Sequence, residues 1–270
     1  MGQPPPHPPP RPAASRRRAR RAANGPLPGD RAFAPRTRDD VRVSTHPAPF
    51  GAAALSAPVG VSSDFWNLCI QEASGDRVAL DIGTGAGRVA LALAAHFRHV
   101  VGVDRESDAI ADARLGAERL GLSNVEFVVA DVEAVEYDTL VPAAPALVTA
   151  HLFMSEAFVE RAARALAPGG AVVVLGFHVD QWKETGKVSR FAYDDARIRA
   201  LFERCGLVVE HLSVEKDVKE FPSVEAALAA AIGMSEKWKS DGRWFRYIKF
   251  LEDGGRTLTR SHIIARGRKT

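Results

Sequence analysis

The stretch "LDIGTGAGRVALALAAHF", residues 80–97, decides the fold. An apolar run ends at Asp81 and Ile82, and three glycines, Gly83, Gly85 and Gly87, follow within five positions. Val89, Leu93 and Phe97 then recur at i, i+4 and i+8, which predicts a helix. The segment therefore reads as strand, glycine turn and helix. Such a turn lets a ligand approach main-chain atoms closely. A dinucleotide fingerprint would need its third glycine at position 88, which is Arg88. A phosphate-cradling Walker loop would need Gly-Lys-Ser/Thr, and none follows. The expected ligand is smaller than a pyrophosphate-linked pair of nucleotides.

The same alternation continues outward. Ser62–Ala73 predicts a helix opened by a Ser/Asp cap, and Arg77–Ile82 a first strand. "VVGVD" (Val100–Asp104) predicts a second strand. Ser107 is placed to cap a helix carrying Ile110, Ala113, Ala117 and Leu120 on one face, with Gly121 ending it. Val125–Asp131 predicts a third strand and Ala146–Ala150 a weaker fourth. A helix is expected from Ser155 to Leu166, before the stop "APGG" and a nearly all-apolar fifth strand, Ala171–Phe177. Ile198, Leu201, Phe202 and Cys205 mark another helix. "LVVEHLSVE" and "TLTRSHIIARG" predict the last two strands. Strands alternating with helices of this length imply right-handed crossovers. The expected fold is α/β: a Rossmann-like doubly wound sheet of about seven strands, mostly parallel with an antiparallel C-terminal strand, and helices on both faces.

Sheets of this type bind ligands beyond the C-terminal ends of their strands, next to strand one. The polar residues there are Asp81 with its glycines, Asp104, Asp131 and His151. A carboxylate at Asp104 suits both hydroxyls of a ribose. One at Asp131, a strand further out, suits an adenine amino group. Together they describe an adenosine lying across strands two and three.

"VALDIGTGAGRVALALA", "VVGVDRES", "VEFVVADVE" and "LAPGGAVVVLGF" resemble the successive motifs of class I S-adenosylmethionine-dependent methyltransferases. The likeness runs from about Val78 to Phe177. It implies that S-adenosyl-L-methionine is the cofactor, with its methionine part along the glycine loop, its ribose at Asp104 and its adenine at Asp131 near the Val132 N–H. Cofactor contact is thereby expected of Asp81, Gly83, Thr84, Gly85, Gly87, Asp104, Arg105, Asp131, Val132 and His151. His151, after strand four, is the candidate base or substrate-orienting residue; the plainer alternative is a hydrogen-bonded loop histidine. Glu156 and His178 are weaker candidates. The chain departs from the family's pattern in two places. Strand four begins at Ala146 without an acid, and "AHLF" lacks the Asn/Asp-Pro-Pro-aromatic signature of enzymes that methylate planar amino groups. No metal site is expected.

Composition limits the partners. The chain has 270 residues, 46% of them hydrophobic, with a net charge of +3. Nine Arg and three Asp give residues 1–40 a charge of +6, which leaves −3 on the other 230. The globular part is thus not a basic nucleic-acid binder by charge. Residues 1–40 hold Pro- and Arg-rich runs and are expected to be a disordered tail. A basic arm attracted to RNA or membrane, or a transit peptide, are the functional alternatives. Cys69 and Cys205 suggest neither a metal nor a disulfide framework, and no apolar run is long enough for a membrane span. A cytoplasmic protein is expected.

The domain reading is a methyltransferase domain over 41–270. It divides into an N-terminal helical cap at 41–76, a cofactor-binding core at 77–215, a helical insertion or lid at 216–256 and a final strand at 257–270. Within the insertion, Trp244, Ile248 and Leu251 predict a buried helix face, with Lys239, Arg243, Arg246 and Lys249 on the wet side. Phe65 and Trp66 are candidate pocket walls. The expected activity is methyl transfer to O, C or N of a small molecule. The alternatives are an RNA or protein methyltransferase guided by the basic arm, or an inactive cofactor-binding module.

Overall fold

The computed structural model describes residues 56–270. Five parallel strands carry the first half: β1 (Ser74–Ile82), β2 (Phe97–Asp104), β3 (Val125–Val129), β4 (Leu147–His151) and β5 (Ala171–His178). Helix α1 (Ser63–Ile70) precedes β1. Helices α2 (Arg88–Leu93), α3 (Ser107–Leu120) and α4 (Glu156–Ala165) serve as crossovers. After β5 come a two-residue strand β6 (Ala192–Tyr193), α5 (Asp195–Arg204) and a long strand β7 (Leu207–Glu220). Three helices follow, α6 (Val224–Ala231), α7 (Ser235–Asp241) and α8 (Arg243–Glu252), and β8 (Thr257–Lys269) closes the chain.

The eight strands form one sheet in the order β3-β2-β1-β4-β5-β8-β7, with β6 paired beside the end of β5. β8 runs antiparallel between β5 and β7. The chain steps outward from β1 to β3, then returns to β4 on the other side of β1. That reversal opens a crevice at the C-terminal ends of β1 and β4. Helices cover both faces. Phe65, Val89 and Ile110 of α1 to α3 pack on one side with Val100, Val173 and Ile264. Phe158, Val159, Ile198 and Leu201 of α4 and α5 pack on the other with Leu80, Val148 and Val174. Each such fully buried aromatic or branched side chain favours folding by about 1.5–3 kcal/mol. The expected architecture is present.

Several local expectations needed correction. Phe97 does not continue the helix of Val89 and Leu93. α2 stops after six residues, and Phe97 opens β2, where it is buried against the same core. Apolar period alone did not separate a helix's last turn from the next strand's first residue. Glu106, not Ser107, is the N-cap of α3, and no side chain caps it; Gly121 ends the helix in the left-handed conformation. Ser62 does cap α1, accepting from the Phe65 N–H. The last two strands reach beyond the predicted runs, so the insertion starts at Phe221 and not at Lys216. Polar residues from 216 to 220 remain in a strand because β8 supplies the partner for every one of them. On α8 the buried stripe is Arg243, Tyr247 and Leu251; Leu251 is buried as expected, whereas Trp244 and Ile248 are only part-buried. The Arg243 guanidinium is buried because it pairs with Asp241 and lies 5.8 Å from the Trp182 ring.

The tips of β7 and β8 project past the C-terminal end of β5, whose Phe177 pairs with His262. α6 to α8 sit on these tips around a separate small core of Phe221, Trp238, Tyr247, Leu251 and Leu258. The segment after β5 pins them. The Glu184 carboxylate accepts the Thr259 N–H at 3.0 Å and its hydroxyl at 2.6 Å, and Gln181 accepts the Ser261 N–H at 2.5 Å. Residues 1–55, with the expected tail and the first part of the expected cap, lie outside the described residues.

Candidate functional site

The glycine loop leaves β1 and folds over the end of β2. The N–H groups of Gly83 and Thr84 both donate to the Val103 carbonyl, at 2.8 and 3.0 Å. Gly83, Gly85 and Gly87 have φ of +70°, +54° and +81°, a region that L side chains avoid. The space around them differs. A Cβ on Gly87 would stand 2.8 Å from the Phe127 ring, so this glycine serves close packing of the helix start on the sheet. A Cβ on Gly85 would meet nothing within 4 Å. The open side of the loop is at Gly85.

Asp81 is 1% exposed. Its Oδ2 accepts the Thr84 hydroxyl at 2.6 Å, and it also accepts the Ala90 N–H in the first turn of α2. That helix start therefore spends an N–H on Asp81. Burial pushes the carboxyl up to about 7, and the Asp104 charge adds to the rise against those two hydrogen bonds. Gly102, inside β2, makes the Thr84 contact possible, since a Cβ there would lie 2.8 Å from the Thr84 hydroxyl. A glycine within a strand signals such a close approach, and "VVGVD" carried that signal.

Asp104 ends β2 half-buried. Its Oδ2 accepts the Gly85 N–H at 2.8 Å and its Oδ1 the Glu106 N–H at 3.1 Å. Each carboxylate oxygen has acceptor capacity beyond one such bond. Asp131 lies two residues past β3, exposed, with Oδ1 accepting the Glu133 N–H at 2.9 Å. Val132 beside it is buried. His151 is the last residue of β4, half-buried, with its ring centroid 5.4 Å from that of Phe65. Burial brings its pKa down to about 4, and the Arg88 charge and His262 push the same way, so the imidazole is neutral at pH 7.

These residues converge. Gly83, Asp104, Arg105, Asp131, Val132 and His151 line one cleft of about 230 Å³, at the C-terminal edge beside the crevice. Thr84, Gly85, Gly87 and Asp81 stand behind or beside it and shape the loop. Leu152, Phe153, Glu133 and Phe191 also line it, and sequence reading missed all four. Leu152 had no local signal. It holds φ +61° and is 40% exposed, and this backbone costs a non-glycine residue about 1–3 kcal/mol. Its N–H donates to Leu175 at 2.6 Å, which carries the β4 ladder through the turn.

The weaker candidates separate from this cleft. Glu156 begins α4 and is held by Arg197 and Arg204 at 3.0 and 2.8 Å, a surface tie between α4 and α5. His178 accepts the Asp180 N–H and lies 3.1 Å from the Ser261 hydroxyl, where it braces the turn under the insertion. Trp66 is buried with its ring against His96, while Phe65 alone of that pair reaches the site, through His151.

A strand order of 3-2-1-4-5 followed by an antiparallel pair, with a glycine loop after β1 and acids after β2 and β3, defines a class I methyltransferase fold. Residues 73–247 match the family model described as "Methyltransferase domain", and the chain belongs to that S-adenosylmethionine-dependent family. A solved structure from Bacillus halodurans C-125, provisionally described as a methyltransferase, superposes with a TM-score of 0.56. It has 23% identity and covers 77% of this chain and 99% of its own, a likeness of fold. Among curated proteins, release factor glutamine methyltransferase of Buchnera aphidicola is 43% identical over 54 residues, 19% of this chain. The 23S rRNA (uracil(1939)-C(5))-methyltransferase RlmD of Stenotrophomonas maltophilia is 42% identical over 65 residues, 24% of this chain. The matched stretches span only 20% and 15% of those two relatives. Among the described residues, no helix is long and apolar enough to cross a membrane.

Proposed function

We propose that this chain transfers a methyl group from S-adenosylmethionine to a small-molecule acceptor at the cleft between β1 and β4. The observation that carries the reading is the convergence of Gly83, Asp104, Asp131 and His151 on that cleft. The residues fit the cofactor's chemistry. Asp104 offers carboxylate acceptors to two ribose hydroxyls. Asp131 and the Val132 N–H offer one acceptor and one donor to an adenine edge. Arg105 flanks the ribose position. Gly83 and Gly85 leave room for the amino-acid arm, Gly87 and Thr84 hold the loop in place, and Asp81, held by Thr84, sets the loop's field for an ammonium group. When bound, the cofactor supplies a methyl group already activated on a sulfonium.

The protein's own work is alignment, exclusion of water and removal of a proton. A neutral His151 at the edge of the cleft suits the last task, because its free imidazole nitrogen accepts a proton from an acceptor that keeps one at neutral pH. The negative charge on the 230 residues after the tail favours a small acceptor over a nucleic acid. Two isolated cysteines, Cys69 buried and Cys205 half-buried and both free, support a cytoplasmic setting.

Calorimetry with S-adenosylhomocysteine, followed by mass spectrometry of metabolite mixtures incubated with protein and methyl donor, tests the reading. Binding plus a metabolite that gains one CH₂ supports it. Binding without any modified metabolite counts against the small-molecule acceptor.

A second reading has a specific basis: the RNA-modifying relative above, together with the Arg-rich residues 1–40. An RNA acceptor would show as label transfer to ribosomal RNA that falls when residues 1–40 are deleted.

A further inference from the structure

The register of the sheet extends a row of side chains from His151, at the edge of the cleft, to Phe177, His262 and Glu215, which the family reading leaves unused. His151 on β4 pairs with Leu175 on β5, which pairs with Ile264 on β8. Two residues further along, Phe177 on β5 pairs with His262 on β8, which pairs with Glu215 on β7. Directly paired residues and those two apart share one face of a sheet. His151, Phe177, His262 and Glu215 therefore line the same face at its C-terminal edge. Leu175 and Ile264 beneath them are sealed at 2% and 0% exposure, whereas all four residues of the row are part-exposed.

The start of α1 roofs this row. Phe65 lies against the His151 ring, and the Ser62 hydroxyl donates to Glu215 Oε1 at 2.5 Å. The His262 ring stands 5.9 Å from Phe177, whose ring in turn is 5.8 Å from Trp182 under the insertion. Among the described residues neither the His151 nor the His262 imidazole makes a hydrogen bond. Burial lowers the pKa of both, and the groups around them are Arg88 at His151 and Glu215 and Arg260 at His262. Two neutral, unpartnered imidazoles thus flank the Phe65 and Phe177 side chains. Their strands are two steps apart, about 10 Å between axes.

We propose that this row is the acceptor site, and that it takes a single planar aromatic ring carrying a hydroxyl toward His151 and a second hydrogen-bond donor toward His262. The part-exposed Phe177 side chain supplies the ring contact, and the sealed Phe65 only backs the His151 ring. The available polar atoms, imidazole nitrogens and the Glu215 carboxylate, accept hydrogen bonds, so they select a ligand that donates them. His262 is the specificity-determining residue. It lies on β8, away from the glycine loop and the acids of the cofactor cleft. The assignment rests on the cofactor reading above, and the test separates the two.

The experiment follows histidine ring signals by NMR in protein saturated with S-adenosylhomocysteine. The probes are 4-hydroxybenzyl alcohol, phenol and, for comparison, cyclohexanol and cyclohexylamine. 4-Hydroxybenzyl alcohol should shift both His151 and His262. His262→Asn should weaken its binding at least tenfold while S-adenosylhomocysteine affinity stays within twofold, which also reports that the variant is folded. Phenol, without the distal donor, should bind wild type and variant alike. His262→Gln serves if the Asn variant loses the product. The proposal is overturned if no phenolic probe moves the His262 signals, if cyclohexanol or cyclohexylamine binds as well as the phenols, or if the variants hold 4-hydroxybenzyl alcohol as wild type does. Failure of wild type to bind S-adenosylhomocysteine would instead count against the cofactor reading.

Discussion

The Gly85 N–H donates to Asp104 Oδ2 at 2.8 Å, which ties the glycine loop of β1 to the acid that ends β2. One carboxylate thus fixes the loop and still presents acceptor capacity to the cleft. Asp104→Ala removes both functions. S-adenosylhomocysteine affinity should fall by about 1.5–3 kcal/mol, the range for hydrogen bonds to a charged group. Asp104→Asn, which keeps one oxygen acceptor, should lose less. Titration calorimetry on the folded variants checks the order, and an unchanged affinity in Asp104→Ala would remove the ribose assignment.

Gly85 has φ +54° and faces open space, so a side chain there is strained and would crowd an amino-acid arm laid along the loop. Gly85→Val should abolish measurable product binding. Gly121→Ala is the control. It carries the same kind of backbone strain at φ +65°, about 1 kcal/mol, at the far end of α3. That variant should lose some thermal stability and no affinity. Equal affinity losses in the two variants would trace the effect to backbone strain alone.

Asp81 predicts a pH dependence of stability. Its folded pKa is raised, to about 7, above the ordinary value of 3.8. The folded chain therefore holds this proton more tightly than the unfolded chain. The resulting stabilisation is full below about pH 4 and is lost as pH rises through about 7. The stability of wild type relative to Asp81→Asn should fall by something on the order of 3 kcal/mol between pH 4 and pH 8. Denaturant midpoints measured on both proteins at each pH give that difference. Using the difference cancels the opposite trend from His151, whose lowered pKa weakens folding as pH falls from about 6.5 toward 4. A flat difference across the window would contradict the burial argument.

Glu184 holds the base of the insertion through Thr259, which is fully buried. Glu184→Ala leaves that N–H and hydroxyl without their acceptor, a loss of about 1–3 kcal/mol. Glu184→Gln retains an oxygen acceptor and should lose less. Hydrogen exchange should quicken at the tips of β7 and β8 and in α6 to α8, while product affinity remains that of wild type. Uniformly faster exchange across β1 to β5 would show that the insertion does not open separately.

The sequence by itself determined the sheet and the strand-end residues that meet at the cleft. Apolar runs alternating with helical stripes dictate crossovers, and a ligand crevice follows at the ends of the first strands. Gly83, Gly85, Gly87, Asp104 and Asp131 were legible because each stands where a strand ends, a position that local pattern marks. Only the tertiary structure decided the rest. Long-range pairing with β8 kept the polar residues from Lys216 to Glu220 in a strand, and packing against Trp182 and Asp241 buried Arg243. The turn at Leu152 and the row of His151, Phe177, His262 and Glu215 depend on register between strands far apart in sequence. No local period encodes that register, because it is set by which side chains fill the core beneath.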